Sequence, residues 1–351
     1  MINYSLLYDS NSPSCDVPNP SSLDISLLIC TIISVPCYLL VSMAFIKKSP
    51  ENFEPYKRRL MVSVISNMFL ELSITILVKP VVFFPEIALR PGGIHFLRHS
   101  TGALSYFLVF IAELVSAHCL LSLFKYRMTV VVDPWKYIYN LKLLKVIRIW
   151  EVVMYFFMVF SMFSIYFLLQ VFLEQPATKN REHVLSDLPE FSCISFLVLP
   201  SFHDSLFAWI NMQIFNLLIV IPNFLMFSLA LLMVYTTVKF LFLLRKDAHI
   251  STFFLKFHKL YLQSILVQMV VHSFFVGIPS VCYSAAAIYN IGSDVFALFS
   301  ITVISLHGSV LSLLIIWTNK PLRQNLISYF IKIPRSNSVS PVFTMNSTSN
   351  S

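Results

Sequence analysis

The feature that most constrains this chain is a series of seven long apolar segments, at residues 23–46, 60–85, 101–124, 149–173, 211–238, 260–288 and 295–318. A helix needs roughly 20 apolar residues to cross the hydrocarbon core of a bilayer. Each segment meets that length. The sequence therefore predicts an all-α membrane protein, built as a bundle of seven transmembrane helices.

Lysine and arginine are concentrated in alternate gaps between these segments. Of the 25 Lys and Arg residues, 20 lie in the first, third and fifth gaps or in the carboxyl-terminal tail, and the first 22 residues contain none. Short loops that are rich in Lys and Arg stay in the cytosol. The pattern therefore predicts an extracellular amino terminus and a cytosolic carboxyl terminus, as seven spans require.

The segments divide the chain into four predicted regions. These are an extracellular amino terminus, a seven-transmembrane domain, a juxtamembrane amphipathic helix and a disordered cytoplasmic tail, at residues 1–22, 23–318, 319–335 and 336–351. The amphipathic helix is predicted because Leu322, Leu326, Phe330 and Ile333 recur at helical spacing, which is typical of a helix lying along a membrane surface. An unstructured tail that happens to be apolar is the alternative.

Composition excludes several classes of protein. Hydrophobic residues make up 57% of the 351 residues and charged residues only 12%, which leaves too little polar surface for a soluble domain. The formal net charge of +8 does not indicate a nucleic-acid reader, because the cations are spread through short loops rather than gathered on one patch. One membrane domain accounts for the composition.

The sequence contains no pattern typical of catalysis within a membrane, such as a Ser/His/Asp set, paired aspartates or a His-Glu-x-x-His helix. We therefore expect no enzymatic activity and no cofactor, and the six cysteines show no metal-ligand spacing. A secondary transporter more often has internal repeats and Gly-broken helices, whereas this chain has 6 glycines and no repeat. A retinal pigment would need a lysine in the seventh segment, which has none before Lys320.

Residues on the predicted outer side indicate possible modifications. Asn3 begins the N-glycosylation sequon Asn3-Tyr4-Ser5. Cys15 and Cys193 both fall on the oxidising side, where a disulfide would tie the amino terminus to the long loop at 174–205. That loop is long enough to cover the mouth of the bundle. The other cysteines fall within apolar segments, where a thiol is ordinarily a small buried group: Cys30, Cys37, Cys119 and Cys282.

Few ionisable side chains lie within the apolar segments: Glu71, Lys79, Glu113, His118, His272 and His307. Such a group costs about 2.5–3.5 kcal/mol on insertion scales, so it tends to face the bundle interior or a water-filled cavity. Glu71 follows Asn67 by one turn on the same helix face, which suits a hydrogen-bonded packing site, with ion sensing as the alternative. Lys79 lies nearer the outer surface, where it can act as an interface anchor.

Two prolines predict bends in the fifth and sixth helices. Pro222 and Pro279 each remove a backbone hydrogen bond, which favours a kink. Bends there would open a cavity at the outer side and provide hinges, although kinks also occur in static bundles. We group these prolines with Glu71 and His307 as candidate hinge and packing positions.

A run in the seventh segment carries a more specific pattern. Ser305-Leu306-His307-Gly308 is followed by Ser309, Ser312 and then Asn319-Lys320-Pro321-Leu322-Arg323. This resembles the seventh-helix signature of the nematode serpentine chemoreceptors of class H, a family of G-protein-coupled receptors.

Shorter elements elsewhere support the resemblance. Leu70-Glu71-Leu72 looks like the family's Leu-Asp-Leu element, and Pro80, Phe84-Pro85 and Gly92-Gly93 resemble the pattern that follows it. Tyr289-Asn290 resembles the Tyr-Asn before the seventh helix. The similarity extends from about Pro50 to Arg323, and class I shares part of it.

The resemblance implies a receptor that binds a small environmental chemical in the outer half of the bundle and signals to a cytosolic heterotrimeric G protein. The plasma membrane of a sensory cilium is the implied location. We select candidate ligand-binding residues on the third, fifth and sixth helices: Tyr106, Glu113, Asn216, Gln268, His272 and Tyr283. Packing between helices is the alternative role for each of them.

The inner end of the third helix departs from the family pattern. The family's sequence at this position resembles Phe-Glu-Asn-Arg, whereas this chain has Phe124-Lys125-Tyr126-Arg127. An acidic neighbour can hold such an arginine until activation, and Lys125 cannot. The means of holding the resting state is therefore open, and Lys125, Arg127, Lys246 and Lys256 are candidates for the surface that meets the G protein.

Two other functions remain open at this stage. A ligand-gated channel or transporter could be made from seven helices, but the arthropod chemoreceptors of that kind have a cytosolic amino terminus, which the cation pattern opposes. A membrane chaperone or structural partner would bind no ligand. The side of the membrane on which residue 1 lies distinguishes the channel from the receptor.

Overall fold

The computed structural model describes residues 21–49, 53–83, 88–94, 102–133, 142–174, 197–198, 206–247, 252–289 and 293–330. Within these residues, seven helices are long and apolar enough to cross a membrane. They pack side by side as one bundle. The predicted fold class, an all-α seven-helix membrane bundle, is confirmed.

The helices run along the chain in a simple order. Their bounds are α1 Ser21–Ile46, α2 Glu54–Leu72, α3 Gly102–Val132, α4 Lys142–Glu174, α5 Leu206–Asp247, α6 Thr252–His272 continued by Ile278–Tyr289, α7 Asp294–Thr318 and α8 Lys320–Phe330. π-helical turns follow α2 at Ser73–Val78 and interrupt α6 at Ser273–Gly277. The α3 helix is central, because it contacts α2, α4, α5 and α6.

Several helices extend past the apolar segments at the ends where cations are concentrated. The α5 helix runs to Asp247, beyond the predicted limit at residue 238, and includes Lys239 and Arg245. Long cationic side chains can lie along a helix while their charged groups reach the headgroups. The apolar segments therefore mark only the part of each helix that lies in hydrocarbon.

The second segment ends earlier than predicted. The helical conformation stops at Val78 rather than at residue 85, and Lys79 takes a left-handed conformation with φ 44°. Proline at position 80 is the cause, since a residue before proline is disfavoured in the helical region and Pro80 has no N–H to donate. The Lys79 Nζ atom bonds to Asp24 Oδ1 of α1 at 3.1 Å, which ties the chain reversal to the first helix.

A three-stranded antiparallel sheet follows this turn. Strands β1, Pro80–Phe83, and β2, Ala88–Pro91, form a hairpin, and β3, Leu197–Val198, pairs with β2. The β3 strand belongs to the long loop that was predicted to cover the mouth of the bundle. We call this end of the bundle the outer end, following the orientation predicted from the cations, and the opposite end the inner end.

The lipid-facing surface is visible along α4. Bulky apolar side chains at helical spacing are exposed there, with Phe163 74% and Phe167 67% exposed. A water-soluble protein rarely leaves so continuous an apolar stripe uncovered.

One thiol departs from its prediction: Cys30, Cys37 and Cys119 are buried, but Cys282 is exposed.

The short helix predicted after the seventh span is present as α8. Leu322 is fully buried near the start of the helix, whereas Phe330 at its end is exposed. The Asn325 amide donates to the carbonyls of Ala44 at 3.2 Å and Lys47 at 3.3 Å, so α8 lies against the inner end of α1. The predicted tail, from residue 336, lies outside the described residues.

Candidate functional site

An outer cavity of about 130 Å³ lies beneath the sheet. Its wall combines residues of the sheet with residues of α2, α3, α5, α6 and α7. The lining residues include Pro80, Pro91, Ser105, Tyr106, Glu113, Ser280, Tyr283 and Ser300. The cavity is mostly apolar, and Glu113 is the one charged side chain among the described residues that line it.

Three of the predicted ligand-binding residues meet at this cavity. Tyr106 and Glu113 come from α3, and Tyr283 comes from α6. Two α-helical turns separate Tyr106 from Glu113, so both side chains project from the same face of α3. The Tyr106 ring also packs on Phe215 of α5, with ring centres 5.6 Å apart.

A second cavity, which we call the lateral cavity, lies between α3, α5 and α6. It has a volume of about 440 Å³ and includes Glu113, Asn223, Phe224, His272, Gly277, Ser280 and Cys282. Glu113 and Ser280 therefore line both cavities, and the Ser280 hydroxyl is a hydrogen-bonding neighbour of the Glu113 carboxylate. The carboxylate stands where the outer and lateral cavities meet.

His272 lines the lateral cavity but also contacts the seventh helix. Its Nδ1 atom lies 3.0 Å from Nε2 of His307, so one ring donates a hydrogen bond to the other. No group of three or more potential metal ligands was found among the described residues. The histidine pair thus joins α6 to α7 in the middle of the bundle.

Two other predicted ligand-binding residues lie away from these cavities. Asn216 is buried on α5, and its amide nitrogen has no hydrogen-bond partner among the described residues. Gln268 is fully buried on α6, and its amide donates to Ser264 Oγ at 3.3 Å. Neither is among the described residues that line the outer or lateral cavity.

Glu71 forms the centre of a polar cluster at mid-depth. Tyr38 Oη of α1 donates to Glu71 Oε2 at 2.8 Å, and Ser309 Oγ of α7 lies 3.4 Å from the same oxygen. Ser34 of α1 bonds to Ser309 in turn. A buried carboxylate is thereby given hydrogen-bond donors from two neighbouring helices, which offsets its loss of hydration.

Gly308 allows this cluster to form. A Cβ atom at position 308 would collide with Tyr38 Oη and would lie 2.9 Å from Glu71 Oε2. Glycine at that point lets α7 approach α1 and α2 closely enough for the hydrogen bonds of Glu71. Together with the His307 contact to α6, this gives the Ser305-Leu306-His307-Gly308 run a physical role as the junction of four helices.

The inner end of α7 is fixed by amide and hydroxyl contacts. Asn319 Nδ2 donates to Ile315 O at 2.8 Å and lies 3.3 Å from Ser264 Oγ of α6. Ser264 also bonds to Thr318 at 2.7 Å. These contacts hold the start of α8 against α6.

Arg127 lies against two tyrosine rings at the inner end, and these rings meet edge to face. Its guanidinium carbon is 3.7 Å from the centre of the Tyr56 ring of α2 and 3.8 Å from that of the Tyr261 ring of α6. The residue is only 6% exposed. Such stacking attracts a guanidinium to the faces of aromatic rings and stabilises it without an anion. We call Arg127, Tyr56 and Tyr261 the aromatic clamp.

Lys125 faces away from this clamp. It forms an ion pair with Glu151 of α4, and about half of its side chain is exposed. The residue that stands in the acidic position of the family pattern therefore connects α3 to α4, while the aromatic clamp connects α3 to α2 and α6.

The two candidate hinge prolines lie in different local structures. Pro222 is buried within α5, which continues through it, and Pro279 follows the π-helical turn of α6. That turn rearranges the backbone hydrogen bonds just before a proline that cannot donate one. The side chains of Lys246 and Lys256 lie outside the described residues, as do Asn3, Cys15 and Cys193.

Several contacts of the charged residues were not predicted from the sequence. Tyr38, Tyr56 and Tyr261 each bond or stack with a charged residue in the bundle, yet none was selected from the sequence. Both tyrosines near Arg127 do lie close to a cation in the sequence: Tyr56 directly precedes Lys57, and Tyr261 follows Lys259 by two residues. That proximity is a weak signal, because it does not identify which cation a ring contacts.

Comparison with known proteins places the chain in a family. Residues 18–332 match the model of the family described as serpentine type 7TM GPCR chemoreceptor Srh. Neither a curated protein nor a solved structure matches the chain. The matched range covers all seven helices and α8, and it confirms the class H resemblance of the sequence. The chain belongs to the Srh family of serpentine seven-transmembrane chemoreceptors, which are G-protein-coupled receptors rather than enzymes.

Proposed function

We propose that this protein is a chemosensory receptor of the plasma membrane that binds a small environmental ligand in the outer cavity and signals to a cytosolic heterotrimeric G protein. Family membership supports the receptor class. In this proposal the amino terminus is extracellular and carries a glycan on Asn3. A Cys15–Cys193 disulfide holds the long loop, and the sensory cilium is the location.

The walls of the outer cavity favour a compact ligand with a large apolar part. Pockets for drug-sized molecules commonly measure about 300–1,000 Å³, so a cavity of about 130 Å³ suits a smaller molecule. Tyr106, Tyr283 and the serine hydroxyls offer hydrogen bonds to a polar group on that molecule. Odorant-like compounds have this size and chemistry.

One observation carries the proposal: α3 and α6 line the outer cavity and meet again at the aromatic clamp. At the cavity, Tyr106 of α3 and Tyr283 of α6 line the wall. At the inner end, Arg127 of α3 contacts Tyr261 of α6. A ligand shifts a conformational equilibrium only by binding one state more tightly than the other. A ligand that favours a different spacing of α3 and α6 would therefore weaken the Arg127 contact with Tyr261.

Release of Arg127 would present a cation to the G protein. In the proposed active state the inner end of α6 moves away from α3, as helices do in rigid-body switches. Arg127 then joins Lys125, Lys246 and Lys256 in a cationic surface at the cytosolic side. That surface suits an acidic or carbonyl-rich segment of a partner, because guanidinium and ammonium groups donate several hydrogen bonds.

The test is ligand-evoked G-protein activation in a heterologous cell. A panel of volatile and water-soluble compounds is screened against the full chain, with surface expression measured in parallel. We expect at least one compound to activate the wild type and to have no effect on Arg127→Ala at equal surface expression. The exposed Lys145→Ala of α4 is the matched control and retains the response. A full response from Arg127→Ala would contradict the proposed role of Arg127.

A topology experiment separates the receptor from a channel with the opposite orientation. An epitope tag before residue 1 is probed on intact cells and on permeabilised cells. The receptor proposal predicts staining of intact cells and a mobility shift when the Asn3 glycan is removed. Staining that requires permeabilisation would contradict it.

A further inference from the structure

We propose that the lateral cavity binds an amphipathic cation, a protonated amine on an apolar chain, which enters from the bilayer between α5 and α6 and places its amine on Glu113. The inference rests on the proposed receptor function and adds to the outer cavity a second binding site, with its own ligand class and entry route. The cavity volume of about 440 Å³ falls within the range of about 300–1,000 Å³ that is typical of small-molecule sites.

The rim of the lateral cavity faces the hydrocarbon. Phe224 of α5 is 64% exposed, and Ile278 and Val281 of α6 are 54% and 57% exposed. All three line the cavity. In a membrane, apolar side chains exposed on the outer surface of the bundle contact lipid chains. A molecule dissolved in the bilayer therefore reaches this cavity without passing the sheet at the outer end.

The charge of the cavity favours a cation. No lysine or arginine is among the described residues that line either cavity, whereas Glu113 lines both. A carboxylate in hydrocarbon is costly without a counter-charge or donors, and the Ser280 hydroxyl lies beside Glu113. An ammonium group would supply both the charge and the donors.

Two other polar groups of the cavity, Asn223 and His272, already have partners. Asn223 Nδ2 donates to Ile219 O at 3.1 Å. The His272 ring bonds to His307 at 3.0 Å. Glu113 is therefore the group with the most to gain from a ligand, and the remaining wall is apolar. The expected ligand has one cationic end and one hydrophobic body.

Gly277 keeps the cavity open on the α6 side. A Cβ atom at position 277 would meet nothing within 4 Å, so close packing does not require glycine there. The residue lies in the π-helical turn Ser273–Gly277 and lines the cavity. A leucine at this position would project into the space without displacing backbone, which gives a variant that fills the cavity.

Cys282 provides a native reporter, because it is exposed and lines the lateral cavity. The full chain is placed in phosphatidylcholine nanodiscs and treated with N-phenylmaleimide, and the alkylation rate of Cys282 is measured by peptide mass spectrometry. Decylamine is compared with decanol and decanoate at equal bilayer concentration. A Phe163→Cys variant, which places a second thiol on the lipid-facing side of α4, reports changes in the reagent itself.

We expect decylamine to slow Cys282 alkylation about tenfold more than decanol does, the size of one charge-assisted hydrogen bond. Decanoate gives less protection than decanol. In Glu113→Gln, decylamine protects Cys282 from alkylation no better than decanol does. In Glu113→Asp, the greater protection by decylamine is restored. Gly277→Leu removes protection by both compounds, while the Phe163→Cys thiol responds equally to all three.

Two results would overturn the inference. Equal protection by decylamine and decanol would mean that an uncharged chain, such as a lipid tail, fills the cavity. Absence of protection by any compound would mean that the cavity admits no amphiphile. Alkylation is measured without a G protein, so either result leaves the proposed receptor function standing. Conversely, protection by decylamine with no G-protein response to any compound would contradict the receptor function and not the site.

Discussion

The Arg127 guanidinium lies 3.8 Å from the centre of the Tyr261 ring, which is a direct contact between α3 and α6 at the inner end of the bundle. The ring of Tyr56 of α2 lies 3.7 Å from the same guanidinium and meets the Tyr261 ring edge to face, with ring centres 5.3 Å apart. The family pattern places an acid beside this arginine, and here that position holds Lys125. Aromatic stacking thus provides a way to hold the resting state without a carboxylate.

Removing the Tyr261 ring should raise activity in the absence of ligand. A desolvated cation–π contact is worth about 2 kcal/mol, so its loss would shift the resting equilibrium by roughly 30-fold toward the active state. We expect Tyr261→Leu to raise basal G-protein activation, and Tyr261→Phe, which keeps the ring, to remain close to wild type. Tyr235→Leu, at an exposed tyrosine of α5, is the control. Unchanged basal activity in Tyr261→Leu would rule out the clamp as the restraint.

Two glycines should respond oppositely to the same substitution. At Gly308 a methyl group would collide with Tyr38 and Glu71, so Gly308→Ala should lower the free energy of unfolding by about 1–3 kcal/mol. At Gly277 nothing lies within 4 Å, so Gly277→Ala should leave it nearly unchanged. Thermal denaturation of the two variants in nanodiscs measures the difference. Equal thermal stability would show that α7 does not need this close approach to α1 and α2.

The Tyr38 hydroxyl should stabilise the fold through Glu71. Tyr38→Phe removes a donor at 2.8 Å from a buried carboxylate, for which we expect a loss of about 1–3 kcal/mol. In a background of Glu71→Leu the same change should cost much less, because the acceptor is gone. Tyr329→Phe, on the exposed surface of α8, serves as the control. Additive losses in the double variant would mean that the two residues do not interact.

Lys125 should matter for contact with α4 and not for the resting restraint. Its partner is Glu151, and since half of the Lys125 side chain is exposed, the pair contributes at most about 1 kcal/mol. Lys125→Glu should reduce thermal stability slightly, and the exchange Lys125→Glu with Glu151→Lys should restore it. Basal G-protein activation should not rise above the wild-type level in either variant, because the aromatic clamp stays intact. A rise in basal activity for Lys125→Glu would indicate that Lys125 contributes to the resting restraint.

The membrane class and the number of helices could be predicted because both depend on local composition. Apolar length determines whether a segment spans the bilayer, and this property needs no knowledge of neighbours. The predicted end of the second helix was wrong because apolar residues continue past the helix at Val81, Val82 and Phe83, which form a strand. Proline at position 80 was a visible signal for that end, and hydropathy alone outweighed it.

The contacts between side chains of different helices could not be predicted in the same way. Successive residues of an α-helix are rotated by about 100° around its axis. The sequence therefore indicates how deep in the membrane a polar residue lies better than it indicates which neighbouring helix that residue faces. Glu113 was selected and does line the outer cavity, whereas Gln268 lies against Ser264. The partners of Arg127 come from α2 and α6, and only the packing of the whole bundle brings them together.

The distance between the inner ends of α4 and α6 tests the central claim most directly, because ligand binding is proposed to separate Tyr261 from Arg127. Spin labels at Lys145→Cys and Lys259→Cys, in a chain whose free cysteines Cys30, Cys37, Cys119 and Cys282 are replaced by serine, report this distance by electron–electron resonance. Both positions are exposed in the structure. An activating ligand should lengthen the distance, and Tyr261→Leu should lengthen it without ligand. An unchanged distance in a receptor that activates its G protein would contradict release of the aromatic clamp as the switch.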